Sequence, residues 1–346
     1  MSSCSNPESR QRGITLIELM IAVAIGSIIV AVVFGSFVST RQSLRAAEIR
    51  IARHQDARSA LQILARDLRM AGNFGCAALG ERGDDWLVVN RGGSSAWQQV
   101  DQNSNGLRGV SKGSKDAGTW LGSLTPESDL LIVQYGQGAF SVSSRTLNAT
   151  GDAVTGLTFQ PAEQGDWANW TRLVLASCTR IDVLASGSGM TLGSSGGSQT
   201  LTLDEAHALP LKGDSHPDGH QLGSLEVMAL VSRAYFVAEV DGVKQLLRRE
   251  MLADGSLSEA TLVADGVASL AVDYGVLDDC DADSTPRLHY AGAGEVGDWQ
   301  RVGTVRLTLT LQQPSAVRSG QTVSAAYPLT VALRGGVQCA HRPLAD

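Results

Sequence analysis

Positions 14 to 38, ITLIELMIAVAIGSIIVAVVFGSFV, form an apolar run of 25 residues with one ionisable side chain, Glu18. As a helix rising 1.5 Å per residue, such a run covers a bilayer core of about 30 Å. It exceeds the roughly 7–15 residues of a secretory signal's apolar region, so it predicts a membrane-spanning helix. Further along, Leu44, Ala47, Ile51, Leu61, Leu64 and Leu68 recur at helical spacings with arginines between them. No proline interrupts residues 14–70, and Ala71-Gly72 supplies a stop. One helix is therefore expected over 14–70. Residues 14–40 are its membrane-spanning half, and 41–70 an amphipathic half packed on a sheet.

After Gly72 the period changes from 3.6 to 2. Strand-like runs occupy 129–135, 171–185, 199–203, 224–240, 261–276, 304–313 and 322–333. In TVRLTLTLQQ, Val305, Leu307, Leu309 and Leu311 alternate with Thr304, Arg306, Thr308 and Thr310, the signature of a half-buried strand. Asp241-Gly242 between apolar runs reads as a hairpin turn that pairs VAEV with VKQLLRR. Residues 90–120 and 186–222, rich in Gly, Ser, Asn and Asp, read as surface loops. With no internal repeat and no clean linker, residues 71–346 are expected to form one β-rich domain; a split near 190–220 is the alternative.

Charge sharpens this layout. The 346-residue chain carries a formal −7, and only four of its 28 cationic residues are lysines, which argues against general nucleic-acid binding. Residues 41–70 hold seven arginines against three acidic residues, whereas 71–346 carry the negative balance. A basic segment thus separates an apolar N-terminal stretch from an acidic body, the order of a membrane-anchored protein with an ectodomain outside the cytoplasm. The arginines read either as a solvated face or as contacts to acidic neighbours and lipid headgroups.

Candidate chemistry is sparse. DQNSNG at 101–106 opens like a calcium loop, but Lys112 stands where a bidentate glutamate is needed, leaving an Asn/Asp/Gly turn. The acidic cluster Asp278, Asp279, Asp281 and Asp283 is a weak calcium candidate against the simpler reading of a solvated loop. His216 and His220 in HPDGH lack further ligands, and Pro217 and Gly219 preclude a helix that would align them for zinc. His54 lies on the long helix without a nucleophile nearby in sequence. Motifs such as GxSxG or a P-loop are missing from strand–helix context, so no enzyme, cofactor or metal is expected.

Glu18 is the anomaly, because a carboxylate inside lipid is costly unless it finds a cation. Gly13 ends the polar stretch MSSCSNPESRQRG immediately before the apolar run. Cleavage there would give Ile14 a free α-amino group four residues before Glu18, on the same helix face. The stretch RGITLIELMIAVAIG resembles the class III signal of type IV pilins and type II secretion pseudopilins. The resemblance implies cleavage after Gly13 by a prepilin peptidase, N-methylation of Ile14, and a role for Glu18 in assembly through the amine of a neighbouring subunit. It also implies an α+β, pilin-like fold: a long N-terminal helix on an antiparallel β-rich domain with large loop insertions. Gly26 and Gly35 are then either ordinary small residues of a membrane helix or points of local melting in a filament.

RDLRMAGNFGCA at 66–77, together with chain length, is similar to PilW-type minor pilins. That implies a non-enzymatic subunit that helps initiate or cap type IV pilus assembly with other minor pilins, the major pilin and a PilY-type tip protein. It would reside in the inner membrane with a periplasmic ectodomain and enter the pilus at its tip or base. A J-type pseudopilin of type II secretion and a plain membrane-anchored binding protein are the alternatives. If residues 1–13 leave as a leader, Cys4 leaves with them, and Cys76, Cys178, Cys280 and Cys339 remain in an oxidising compartment. Three pairings are open. Cys76–Cys178 with Cys280–Cys339, which ties nearer segments, is the expected one.

Overall fold

The computed structural model describes residues 14–79, 87–91, 99–101, 103–160, 172–185, 189–195, 197–252, 256–278, 287–314 and 322–334. Two units divide the chain, one holding the first helix up to Arg53 and the other beginning at His54. Each is considered by itself.

In the first unit the helix α1 (Leu16–Met70) begins. Its apolar window is long enough to cross a membrane and none of it is buried. The expected amphipathic stripe is only partly used: Leu44 and Ile51 are 58% and 59% exposed. Burial starts at Ala57, from where α1 belongs to the second unit. Ala57, Ala60, Leu61, Leu64, Ala65 and Leu68 fall at spacings of three and four, and the alanines let neighbouring strands approach closely. The helix stops at Gly72, whose φ of 72° suits a residue without Cβ. Gly72 donates to the Gln134 carbonyl at 2.9 Å, and a Cβ on Gly106 would strike Gly72 N at 2.1 Å, so the chain crosses itself here backbone to backbone.

The second unit is mostly strand. A small hairpin joins β1 (Asn73–Phe74) to β2 (Ala77–Ala78). The strands β3 (Leu87–Arg91), β4 (Leu107–Val110), β5 (Leu130–Leu147) and β6 (Ala153–Phe159) follow, with α2 (Lys115–Leu121) between β4 and β5. Next come β7 (Arg172–Ser177), β8 (Arg180–Ala185), β9 (Met190–Ser195), β10 (Ser198–Leu203) and β11 (Leu209–Pro210). The long β12 (Glu226–Val240) turns into β13 (Val243–Glu250), followed by β14 (Thr261–Asp265). The last four are β15 (Val267–Asp278), β16 (Arg287–Ala291), β17 (Val302–Pro314) and β18 (Thr322–Ala332).

Among the described residues these strands form a 12-stranded sheet and a 4-stranded sheet of order β16-β15-β17-β18 besides the small hairpin. The large sheet hinges on the β5–β12 pair. One edge of β12 pairs with β7 over Glu226–Ala229 and with β13 over Arg233–Val240. β5 likewise serves β4 at its start and β6 at its end. Both sheets contribute side chains to the core around the buried end of α1, including Leu131, Val133, Tyr235, Leu246, Val305 and Leu307.

Five expectations are corrected. The sheets are not wholly antiparallel, because β3 and β8 run parallel. Run 171–185 is two strands folded at Cys178-Thr179, and run 261–276 breaks at Gly266 (φ 64°), sending β14 and β15 to different sheets. Residues 90–120 are not all surface loop: Ser114 accepts from the Ala117 amide at 3.3 Å to cap α2, and Trp120 is fully buried. Residues 186–222 contain β9, β10 and β11, whose Met190, Leu201, Leu203 and Leu209 enter a core of their own with β6 and β7. At Asp241-Gly242 both φ values are positive, 51° and 77°, as a two-residue hairpin of the I′ kind requires.

Candidate functional site

The N-terminal end of α1 is capped from within. The Glu18 amide donates to Thr15 Oγ1 at 3.4 Å, and the Thr15 hydroxyl reaches Glu18 Oε2 at 3.4 Å. Thr-x-x-Glu is the spacing of a capping box, so TLIE starts the helix as well as interrupting its apolar run. The helix dipole favours a carboxylate in this first turn. Among the described residues no cation pairs with Glu18, and its neighbours Leu16, Ile17, Leu19 and Met20 are exposed. Ile14, 75% exposed, is the first described residue, while Gly13 lies outside the described residues. One end of the protein therefore presents an apolar helix bearing a carboxylate with unused acceptor capacity.

Two buried ionic clusters hold the other unit. Asp67, on the last buried turn of α1, accepts from Tyr135 at 3.0 Å, from Tyr235 at 2.5 Å and from Arg233 at 3.3 Å. Arg233 also donates to Glu250 at 2.9 Å and to the Tyr135 oxygen at 2.7 Å. Burial, reinforced by the charge of Asp67, pushes both tyrosine hydroxyls well above their usual range, so both remain protonated donors.

The second cluster centres on Asp182 of β8, which accepts from Arg91 at 2.6 Å, Arg180 at 2.5 Å and His220 Nε2 at 2.8 Å. Burial alone would raise this carboxyl, but the hydrogen bonds from His220 and Arg180 and the charge of Arg180 outweigh it and hold it at about 2. Burial pushes His220 below 6.5, against the attraction of Asp182, and the nearby arginines add to the lowering. The neutral ring then donates from Nε2 to Asp182, and Nδ1 accepts from Ser177 Oγ at 3.1 Å. Ser177, His220 and Asp182 thus share the residue types of a hydrolytic triad. All three are at most 1% exposed and Arg180 and Arg91 occupy the carboxylate, so the grouping ties β8 to the HPDGH loop. Sequence reasoning missed both clusters. Asp182 and Asp67 each stand among apolar residues in a strand or helix pattern, the only available signal.

Cys76 and Cys178 form a disulfide, Cα atoms 4.9 Å apart, linking the β1–β2 turn to the β7–β8 turn. Cys280 and Cys339 lie outside the described residues, as do Asp279, Asp281 and Asp283. Asp278, at the end of β15, pairs with His289 Nδ1 at 2.6 Å. Among the described residues no group of three or more metal-ligating side chains is assembled.

The model of a family described as Type IV Pilus-assembly protein W matches residues 234–336, from the middle of β12 through β18. The prokaryotic N-terminal methylation motif matches residues 9–34, spanning Gly13, Ile14, Glu18 and the apolar helix. In these two stretches the chain is similar to PilW-type type IV pilins, and the two matches support that reading. No curated protein and no solved structure matches it. The chain's N-terminal helix has the length and exposure of a membrane anchor, and its motif is of the kind a peptidase processes. The pilin and PilW families consist of structural pilus components.

Proposed function

We propose that the chain is a minor pilin cut after Gly13, methylated at Ile14 and inserted through Glu18 into a complex that initiates or caps type IV pilus assembly. The observation that carries this is the coincidence of three features in one segment. These are a matched methylation motif, an entirely exposed apolar helix, and a carboxylate in that helix's first turn. An exposed apolar helix is stable in lipid or against similar helices, and the amine of a neighbouring subunit supplies the cation Glu18 lacks.

On this reading residues 1–13 are the leader, 14–40 span the inner membrane, 41–70 complete the helix and 71–346 form a pilin-like periplasmic ectodomain. The partners are other minor pilins and the major pilin through the helix, and a PilY-type tip protein. The chain itself performs no catalysis. Cys280 and Cys339 form the second disulfide.

A deletion strain scored for surface pili, twitching and protein secretion tests the role. Loss of pili and twitching with normal secretion supports it. Intact pili with failed secretion would assign the chain to a type II secretion apparatus instead.

A further inference from the structure

Within the second unit, the end of α1 and the strands β5, β12 and β13 enclose a cleft of about 640 Å³. Arg66 and Arg69 of α1, Arg233 of β12, Arg248 of β13 and Arg334 beyond β18 line it, with Asp67 as the one carboxylate. That carboxylate is already committed, since two tyrosines and Arg233 fill it, and Arg233 is also shared with Glu250. Among the described residues, Arg66, Arg69, Arg248 and Arg334 have no acidic partner within salt-bridge distance. Four guanidinium groups from three elements thus face one cleft without counter-charge, in a part of the chain whose overall balance is acidic. Like charges held together repel, and a bound anion relieves that repulsion.

We propose that this cleft docks a carboxylate-rich polypeptide segment. The guanidinium fork matches a planar carboxylate through paired hydrogen bonds. A cleft of this size with cations on several sides suits several carboxylates on one chain better than a single small ion. Ile63, Met70 and the ring of Tyr135 supply its large apolar surfaces, and the five guanidinium groups outnumber them. The β5 stretch Gly136-Gln137-Gly138 lines it too, with Gln137 and Gly138 exposed. The inference deepens the pilin reading by naming the chemistry of a partner, an acidic segment of a neighbouring pilus component, but the binding itself does not depend on filament entry.

The test uses the full chain in non-ionic detergent micelles with fluorescein-labelled hexaglutamate, read by anisotropy. Saturable binding is expected, absent for hexaglutamine and weakened as salt rises from about 50 to 500 mM. The double variant Arg66→Gln/Arg248→Gln should bind about tenfold more weakly, and Arg287→Gln, on β16 outside the cleft, should match the parent. Thermal melting establishes that the double variant is folded. If it is not, the exposed Arg334→Gln takes its place, with about threefold loss expected. Binding unchanged in the cleft variants would overturn the proposal. So would inorganic phosphate competing as well as the peptide, or full displacement by phosphatidylglycerol added to the micelles, which would assign the cleft to a lipid headgroup.

Discussion

The Tyr235 hydroxyl donates to Asp67 Oδ2 at 2.5 Å, joining the end of α1 to the centre of β12 across 168 positions of sequence. Asp67 also answers Tyr135 and Arg233, so its removal strands two buried tyrosine hydroxyls and takes from Arg233 one of its two carboxylates. Asp67→Ala should therefore destabilise the protein by about 3 kcal/mol, whereas Tyr235→Phe, which deletes one bond to a charged acceptor, should cost about 1.5 kcal/mol. Denaturant unfolding of the full chain in micelles measures both. Equal losses would show that the carboxylate does not organise the cluster.

His220 makes stability depend on pH. Its folded-state pKa lies below 6.5, so the unfolded chain binds the extra proton first as pH falls. Stability should be full above about 6.5 and decline steadily below it, since it rises with pH wherever the unfolded state holds more protons. Asp182, held at about 2, keeps its contribution until pH falls below the ordinary 3.8. The loss between pH 7 and 5 is thus assigned to the histidine. His220→Gln should shrink the difference between the unfolding midpoints at those two pH values. A variant with the parent's pH slope would locate the titration elsewhere.

The Cys76–Cys178 bridge closes a loop of 102 positions. The chain-entropy model assigns such a crosslink about 4–5 kcal/mol. Cys178→Ser should lower stability by that order and release the β1–β2 turn to proteolysis. Peptide mapping without reduction should recover the Cys76–Cys178 pair; a Cys76–Cys339 peptide would contradict it.

What was legible in the sequence was whatever depends on local period or turn chemistry. The α1 helix announces itself by an uninterrupted apolar run and a Gly72 stop, and the β12–β13 hairpin by Asp241-Gly242. Tertiary context decided the rest. Nothing local says that 261–276 is two strands, since Gly266 reads equally as a bulge or a break, and only the destination of each half settles it. α2 hides in a glycine-rich stretch because its burial rests on Trp120, Ala117 and Leu121 alone. Asp182 and His220 are 38 positions apart and meet only because the β7–β8 hairpin and the HPDGH loop fold together, so in sequence His220 reads as half of a poor metal pair. At the N-terminal motif the structure adds the Thr15 cap to the apolar run and Glu18 that the sequence already displays.

Glu18→Ala should leave membrane insertion intact, because it removes a charge that lipid disfavours. Filament entry should fail, since the neighbour's amine loses its partner. Fractionation and counts of surface pili read the two effects separately. Normal pilus number and motility in this variant would show that Glu18 does not register the subunits.

The central claim is that the chain is a processed pilin, and mass spectrometry of the N-terminus of the protein purified from membranes tests it most directly. The account requires a chain beginning at N-methylated Ile14; a terminus upstream of Gly13, or an unmethylated one at any other residue, would contradict it.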